Sequence, residues 1–231
     1  MKERIGELDA LRGFCILFMI VIHLIFDLTV LKGYTFPVPK ILILLGSYGH
    51  ILFLLLSGVC VTLGRHCRQR GLIVLGAGLL VSYATLFGEL ILGMEEIRIW
   101  FGILHLLGVS MLLYPLFEKL HPSLLAVVGT VIILVGKWFE SLTVPASFLF
   151  PLGLCGEGIY TGSDFFPIFP NLGWFLLGAV IGKTLYKEKR SLFPVVSFEK
   201  GILRFLCLCG RNSLVIYLLH QPALLLILSF L

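Results

Sequence analysis

Polar and apolar residues follow one another along this chain in long blocks rather than in alternating faces. Seven blocks are apolar enough to be read as bilayer spans, which take roughly 20 mostly apolar residues each. They are Ala10–Leu31, Leu42–Leu63, Leu72–Gly93, Ile99–Phe117, Ser123–Trp138, Pro167–Leu185 and Ser213–Leu231. The fifth is short. The longest irregular connection, Phe139–Asp164, is rich in Gly and Pro, and Ile202–Cys209 reads as an interfacial helix ahead of the last span. The pattern predicts an all-α fold: a polytopic integral membrane helical bundle of about seven transmembrane helices. Residues 1–231 form a single transmembrane domain in this reading, with no repeat and no low-complexity tract.

Composition agrees with the blocks. Of 231 residues, 58% are hydrophobic and 13% charged, against about 25% charged in an ordinary soluble domain. The surplus apolar surface has to face lipid. A net charge of +5 suggests nucleic acid at first sight, but the basic residues sit in the short loops, where they report topology. Lys2, Arg4, Arg12, Arg65, Arg68, Arg70, Lys119, Lys183, Lys187, Lys189, Arg190, Lys200, Arg204 and Arg211 fall on one side, and Lys32, Lys40, Arg98 and Lys137 on the other. That split of 14 against 4 predicts a cytoplasmic N-terminus, an odd number of spans and no nucleic-acid partner. The first run holds His23 and Asp27 and has no small-residue cleavage site behind it, so it reads as a retained helix rather than a signal peptide. The six cysteines show no paired spacing and read as buried free thiols.

Charged and titratable groups inside apolar runs are expensive and call for a reason. Asp9 is placed to cap the first helix. Arg12 and His23 are eleven residues apart, so on a helix they share a face about 16 Å apart along the axis. Asp27 follows His23 by four, on the same face. An arginine at the cytoplasmic mouth suits a phosphate-bearing ligand, and a mid-depth histidine can accept and return a proton, with Asp27 orienting its ring. The plainer readings are a snorkelling Arg12 and a hydrogen-bonded packing pair at His23 and Asp27.

His105 and His220 lie at similar depth in other runs, so three histidines on three spans suggest one polar cavity, with His23, Asp27, His105 and His220 as the candidate catalytic groups. Their spacing carries no metal-ligand signature, and no metal is expected. Glu89, His50 and Asp164 are candidates for an outer vestibule that meets substrate. Pro167 and Pro170 predict a broken or delayed start to the sixth span. Arg65, Arg68 and Arg211 are candidate phosphate contacts, although a charged cytoplasmic loop is the plainer reading for the first two. Gly173, Gly178 and Gly182 read as close-packing positions, and the sixth span could serve a homodimer.

The segments Arg4–Gly13 and Met19–Leu28, then Phe101–Gly108, Asp164–Gly178 and Gly210–Pro222, resemble in the same order the transmembrane acyltransferase superfamily. More narrowly, they resemble the bacterial branch related to the catalytic domain of heparan-α-glucosaminide N-acetyltransferase. The resemblance implies an acyl group taken from a cytoplasmic donor, usually acetyl-CoA, to a hydroxyl or amine on the far side. It implies that Arg12 and His23 form the functional pair, with Arg12 holding CoA and His23 acting as general base or transient acyl carrier. The expectation is therefore an acetyl-CoA-dependent acyltransferase in a bacterial inner membrane, acting on a cell-envelope carbohydrate. A proton-coupled transporter and a non-catalytic membrane scaffold are the alternatives.

Overall fold

The computed structural model describes residues 4–30, 32–35, 37–92, 97–142, 144, 147–156 and 164–230. Lys2, Leu31, Gly93, Gly162, Ser163 and Leu231, which enter the sequence reading, lie outside them. Among the described residues the chain is all helical, with no strand. The helices are α1 (Gly6–Val30), α2 (Lys40–Leu63), α3 (Cys67–Leu92), α4 (Ile103–Phe117), α5 (Pro122–Phe139), α6 (Ile168–Thr184), α7 (Gly201–Arg211) and α8 (Ser213–Leu228), with a short 3-10 helix at Ser147–Leu152.

Four of these helices, α1, α2, α3 and α5, are long and apolar enough to cross a membrane, and a fifth span results if α7 and α8 are joined across their 86° bend. The short fifth run thus yields a full-length helix, because His121 caps it and Pro122 occupies its first turn. The fourth and sixth runs fall short for local reasons. Helix α4 starts at Ile103 rather than Ile99, and its 15 residues extend about 22 Å, less than the roughly 30 Å hydrocarbon core. Helix α6 keeps non-helical geometry at Phe169 (φ −97°, ψ 128°) before Pro170, the delayed start that its two prolines foretell.

The helix ends correct one expectation. Helix α1 begins at Gly6, so Asp9 is not its cap but lies in its first turn. There its carboxylate accepts a hydrogen bond from Arg211 Nε at 3.0 Å and lies 3.9 Å from Arg4. A carboxylate in the first turn also complements the positive end of the helix dipole.

Two compact units are present: residues Met1–Leu56 with Glu188–Leu231 (the terminal unit), and Ser57–Lys187 (the central unit). In the terminal unit α1 packs along α7 and, less extensively, along α8. The α1–α7 crossing requires glycine on both sides. A methyl group on Gly13 would collide with the Leu206 carbonyl, and one on Gly210 with the Asp9 carbonyl, so the two backbones approach without side chains between them. Cys207 Sγ donates to the Gly6 carbonyl at 3.3 Å, and Glu7 accepts from Ser191 Oγ and the Leu192 N–H, both at 2.7 Å. The segment before α7 is thereby fastened to the start of α1.

In the central unit α5 packs on α6, α3 on α4, and α4 on α6. Leu106, Leu125, Phe175 and Leu176 are fully buried there. Gly173 sits against the Gly129 carbonyl and Gly182 against Thr62 and the Val59 carbonyl, the close-packing role read from the sequence. Lys183 Nζ donates to the carbonyls of Glu118 and Leu120 at 2.6 and 2.7 Å, closing the C-terminal end of α4 where the dipole favours a cation. Among the described residues no cysteine is in a disulfide.

Candidate active site

The terminal unit brings together His23 and Asp27 from α1 with His220 and Gln221 from α8. Because α1 is unbroken from Gly6 to Val30, Arg12, His23 and Asp27 do share one stripe, and Arg12 is half-buried on it. The rings of His23 and His220 meet edge to face, with centroids 4.9 Å apart. Asp27 is only 2% exposed and His220 9%. A carboxylate buried this deeply needs a donor, and it has one in Gln221, whose Nε2 donates to Asp27 Oδ2 at 2.9 Å. The bond to Asp27 thus comes across helices, from an amide that the sequence reading does not single out.

His220 has a defined tautomer. Its Nδ1 faces the Tyr217 carbonyl, which can only accept, so Nδ1 carries the proton and Nε2 carries the lone pair. That Nε2 is buried and has no hydrogen-bond partner, and the same holds for Gln221 Oε1. The cluster thus consists of two imidazoles side by side, a held carboxylate, and two buried acceptor atoms with bonding capacity to spare. Such a set can take a proton from a hydroxyl or amine and offset the charge that results.

The central unit holds the other candidates, and it gives His105 a duty of its own. The Gly102 N–H donates to His105 Nδ1 at 3.2 Å, which leaves the proton on Nε2, 3.3 Å from Ser82 Oγ. Ser82 Oγ in turn donates to the Ile99 carbonyl at 2.6 Å, and the Ile99 N–H donates to Thr85 Oγ1 at 3.1 Å. Both ring nitrogens are engaged, and His105 closes the turn that starts α4. Glu89, one helical turn beyond Thr85, accepts from Arg98 Nε at 2.7 Å, and the Arg98 guanidinium lies 4.9 Å over the Trp100 ring. Ser82, Thr85 and Glu89 thus form one face of α3 that clamps residues 98–99, which is why α4 begins late. Asp164 lies against Gly102, where any side chain would strike its carboxylate.

The candidate phosphate contacts are divided between the units. Arg65, in the turn after α2, and Arg68, in the first turn of α3, are exposed, in the central unit. Arg211 belongs to the terminal unit and is already bonded to Asp9. Among the described residues no group of three or more His, Cys, Asp or Glu is arranged to hold a metal ion.

Comparison with known proteins supplies the family. The profile of the heparan-alpha-glucosaminide N-acetyltransferase catalytic domain matches residues 4–222, nearly the whole chain and both units. The chain belongs to that family. No curated protein and no solved structure matches it. Membership in the heparan-alpha-glucosaminide N-acetyltransferase catalytic family, with several helices fit to span a bilayer, makes this an integral membrane protein of the transferase class. The matched stretch contains His23, Asp27, His220 and Gln221, so the cluster lies inside the catalytic domain of the family.

Proposed function

We propose that this protein transfers an acetyl group from cytoplasmic acetyl-CoA to a hydroxyl or amine of a cell-envelope carbohydrate, working in a bacterial inner membrane. The observation that carries the reading is the His23–His220 ring pair beside a buried carboxylate held by Gln221, in a chain of an acetyltransferase catalytic family.

The chemistry follows from what these groups can do. The acceptor oxygen or nitrogen attacks the thioester carbonyl carbon, the carbon–sulfur bond breaks, and the CoA thiolate leaves. The proton lost by the acceptor passes to an imidazole of the pair and from there to the thiolate, so the site ends as it began. His23, on the same stripe as Arg12, is the ring we place at the thioester. Arg12 holds the donor by its phosphates. His220 offers a lone pair at Nε2, and the Asp27 carboxylate offsets the positive charge that either ring gains. Glu89 and Asp164 are proposed to meet the acceptor, with His105 as a positioning residue that fixes the turn beside Asp164. The metal-free route asks only for groups the chain supplies.

Sidedness provides the test. Purified protein is reconstituted into vesicles with labelled acetyl-CoA on one side and an amino sugar or a polyol sugar on the other. The reading expects acetylated sugar to accumulate opposite the donor and to disappear with His23→Ala. Acetyl-CoA consumption without any acetylated sugar would overturn the carbohydrate assignment. Flux of a solute without thioester loss would favour the transporter alternative.

A further inference from the structure

The segment from Ser191 to Arg211 lies outside the His23–His220 cluster and carries a surface of its own. Helix α7 has three faces. Cys207 and Gly210 are buried against α1. Ile202, Phe205 and Leu208, spaced by three, are exposed. Lys200, Arg204 and Arg211 fall within about 40° of one another, roughly 120° round the helix from that exposed apolar stripe. The approach to α7 adds Leu192, Phe193, Val195 and Val196, all exposed, Val195 to 95%. Residues 188–211 hold five basic side chains against two acidic. Arg211 is bonded to Asp9 and Arg190 lies 3.8 Å from Glu188. Among the described residues no ion pair takes up Lys189, Lys200 or Arg204.

An exposed apolar stripe beside a basic one is the pattern of a helix lying in the plane of a membrane surface. The 86° bend between α7 and α8 fits this, since α8 leads away from the plane of α7. The platform is also fixed beforehand, by Glu7 holding Ser191 and Leu192 and by the glycine crossing of α1 and α7. It therefore spends little ordering entropy on docking. We propose that this platform is a docking surface for anionic phospholipid, with Ile202, Phe205, Leu208 and the 192–196 turn at the acyl boundary and Lys189, Lys200 and Arg204 on the headgroups. The partner is a lipid surface because basic side chains outside any ion pair share one helix with an exposed apolar stripe. A protein partner would be met as an outcome of the test.

The test uses the full-length protein with Phe205→Trp, reconstituted in phosphatidylcholine vesicles. A fixed fraction of the lipid is chain-brominated phosphatidylcholine or chain-brominated phosphatidylglycerol. Quenching is read as the difference from the unsubstituted protein, which has three tryptophans of its own. Contact with headgroup charge favours the anionic lipid by about fivefold for each basic side chain engaged. A preference for phosphatidylglycerol of about fivefold or more is expected at low salt, falling at high salt. It should approach onefold when Lys189→Gln, Lys200→Gln and Arg204→Gln are added together, and survive Arg204→Lys. Equal quenching by the two lipids would overturn the anionic preference. An absence of added quenching by either would overturn the lipid surface itself, since Phe205 would then face protein or water. Neither readout depends on acetyl transfer.

Discussion

Replacing Gln221 with leucine removes the hydrogen bond that holds a nearly inaccessible carboxylate while keeping the volume of the side chain. Asp27 is 2% exposed and accepts from Gln221 Nε2 at 2.9 Å. A hydrogen bond to a charged group contributes about 1.5–3 kcal/mol. Stranding a buried charge outright costs about 3–5 kcal/mol. If the carboxylate acts in the transition state by offsetting imidazolium charge, the lower range appears as a roughly ten- to 150-fold fall in kcat. KM for acetyl-CoA stays within about twofold of wild type, because uniform binding of the donor is untouched. The remainder appears as a lower thermal midpoint. Gln221→Asn, which retracts the amide by one methylene, falls between the two.

The assay is thioester consumption by protein in bilayer discs, paired with a thermal melt of the same preparation. Asp27→Asn supplies the control. In that background no charge is left stranded, so Gln221→Leu costs less than it does alone, by about 1 kcal/mol or more. Additive effects in both rate and stability would refute the claim that Gln221 acts by holding the Asp27 carboxylate. An unchanged rate in Gln221→Leu would remove the pair from the chemistry altogether.

Three further outcomes follow from the packing and the hydrogen bonds. Gly13→Ala and Gly210→Ala place a methyl against a backbone carbonyl that has nowhere to move, and each lowers stability by about 1–3 kcal/mol, measured by denaturation of the reconstituted protein. His105→Asn, which closes no chain from Gly102 to Ser82, lowers the melting midpoint but leaves acetyl-CoA consumption within a few-fold of wild type. A complete loss of turnover there would place His105 in the chemistry. Glu89→Gln breaks a partly exposed ion pair and costs less than about 1 kcal/mol in stability, so any large loss of acceptor affinity in this variant reports contact with substrate instead.

Much of the fold was legible in the sequence, and the failures have physical causes. Long apolar runs announce helices whatever their partners, so α1, α2, α3 and α5 come out close to their expected limits, and α7 appears where an interfacial helix was read. Helix starts were harder. Ile99 belongs to an apolar run, but its backbone is captured by Ser82 and Thr85 from α3, and no pattern local to residue 99 reveals a clamp seventeen positions upstream. Asp9 looked like a cap because caps are recognised by residue type. Its true partner, Arg211, lies at the other end of the chain.

The candidate site divides in the same way. The stripe of Arg12, His23 and Asp27 needs only helical periodicity, so it could be read directly. The meeting of His23 with His220 needs tertiary packing of α1 on α8, for which similar depth was merely a hint. Gln221 carried a signal that went unused: an amide inside the run Leu218–Leu226, where polar side chains seek partners on neighbouring helices. His105 shared the depth and residue type of the other two histidines. Its cap at Gly102 and its bond to Ser82 depend on a neighbouring helix, and residue type does not announce them.

Acetyl-CoA thioester consumption by the purified protein in a bilayer, comparing wild type with His23→Ala, tests the central claim most directly. The account predicts measurable release of free CoA by wild type and loss of it, by at least about a hundredfold, in a variant that melts like wild type. Equal CoA release by the two proteins, or acetyl-CoA that neither binds nor reacts, would contradict it.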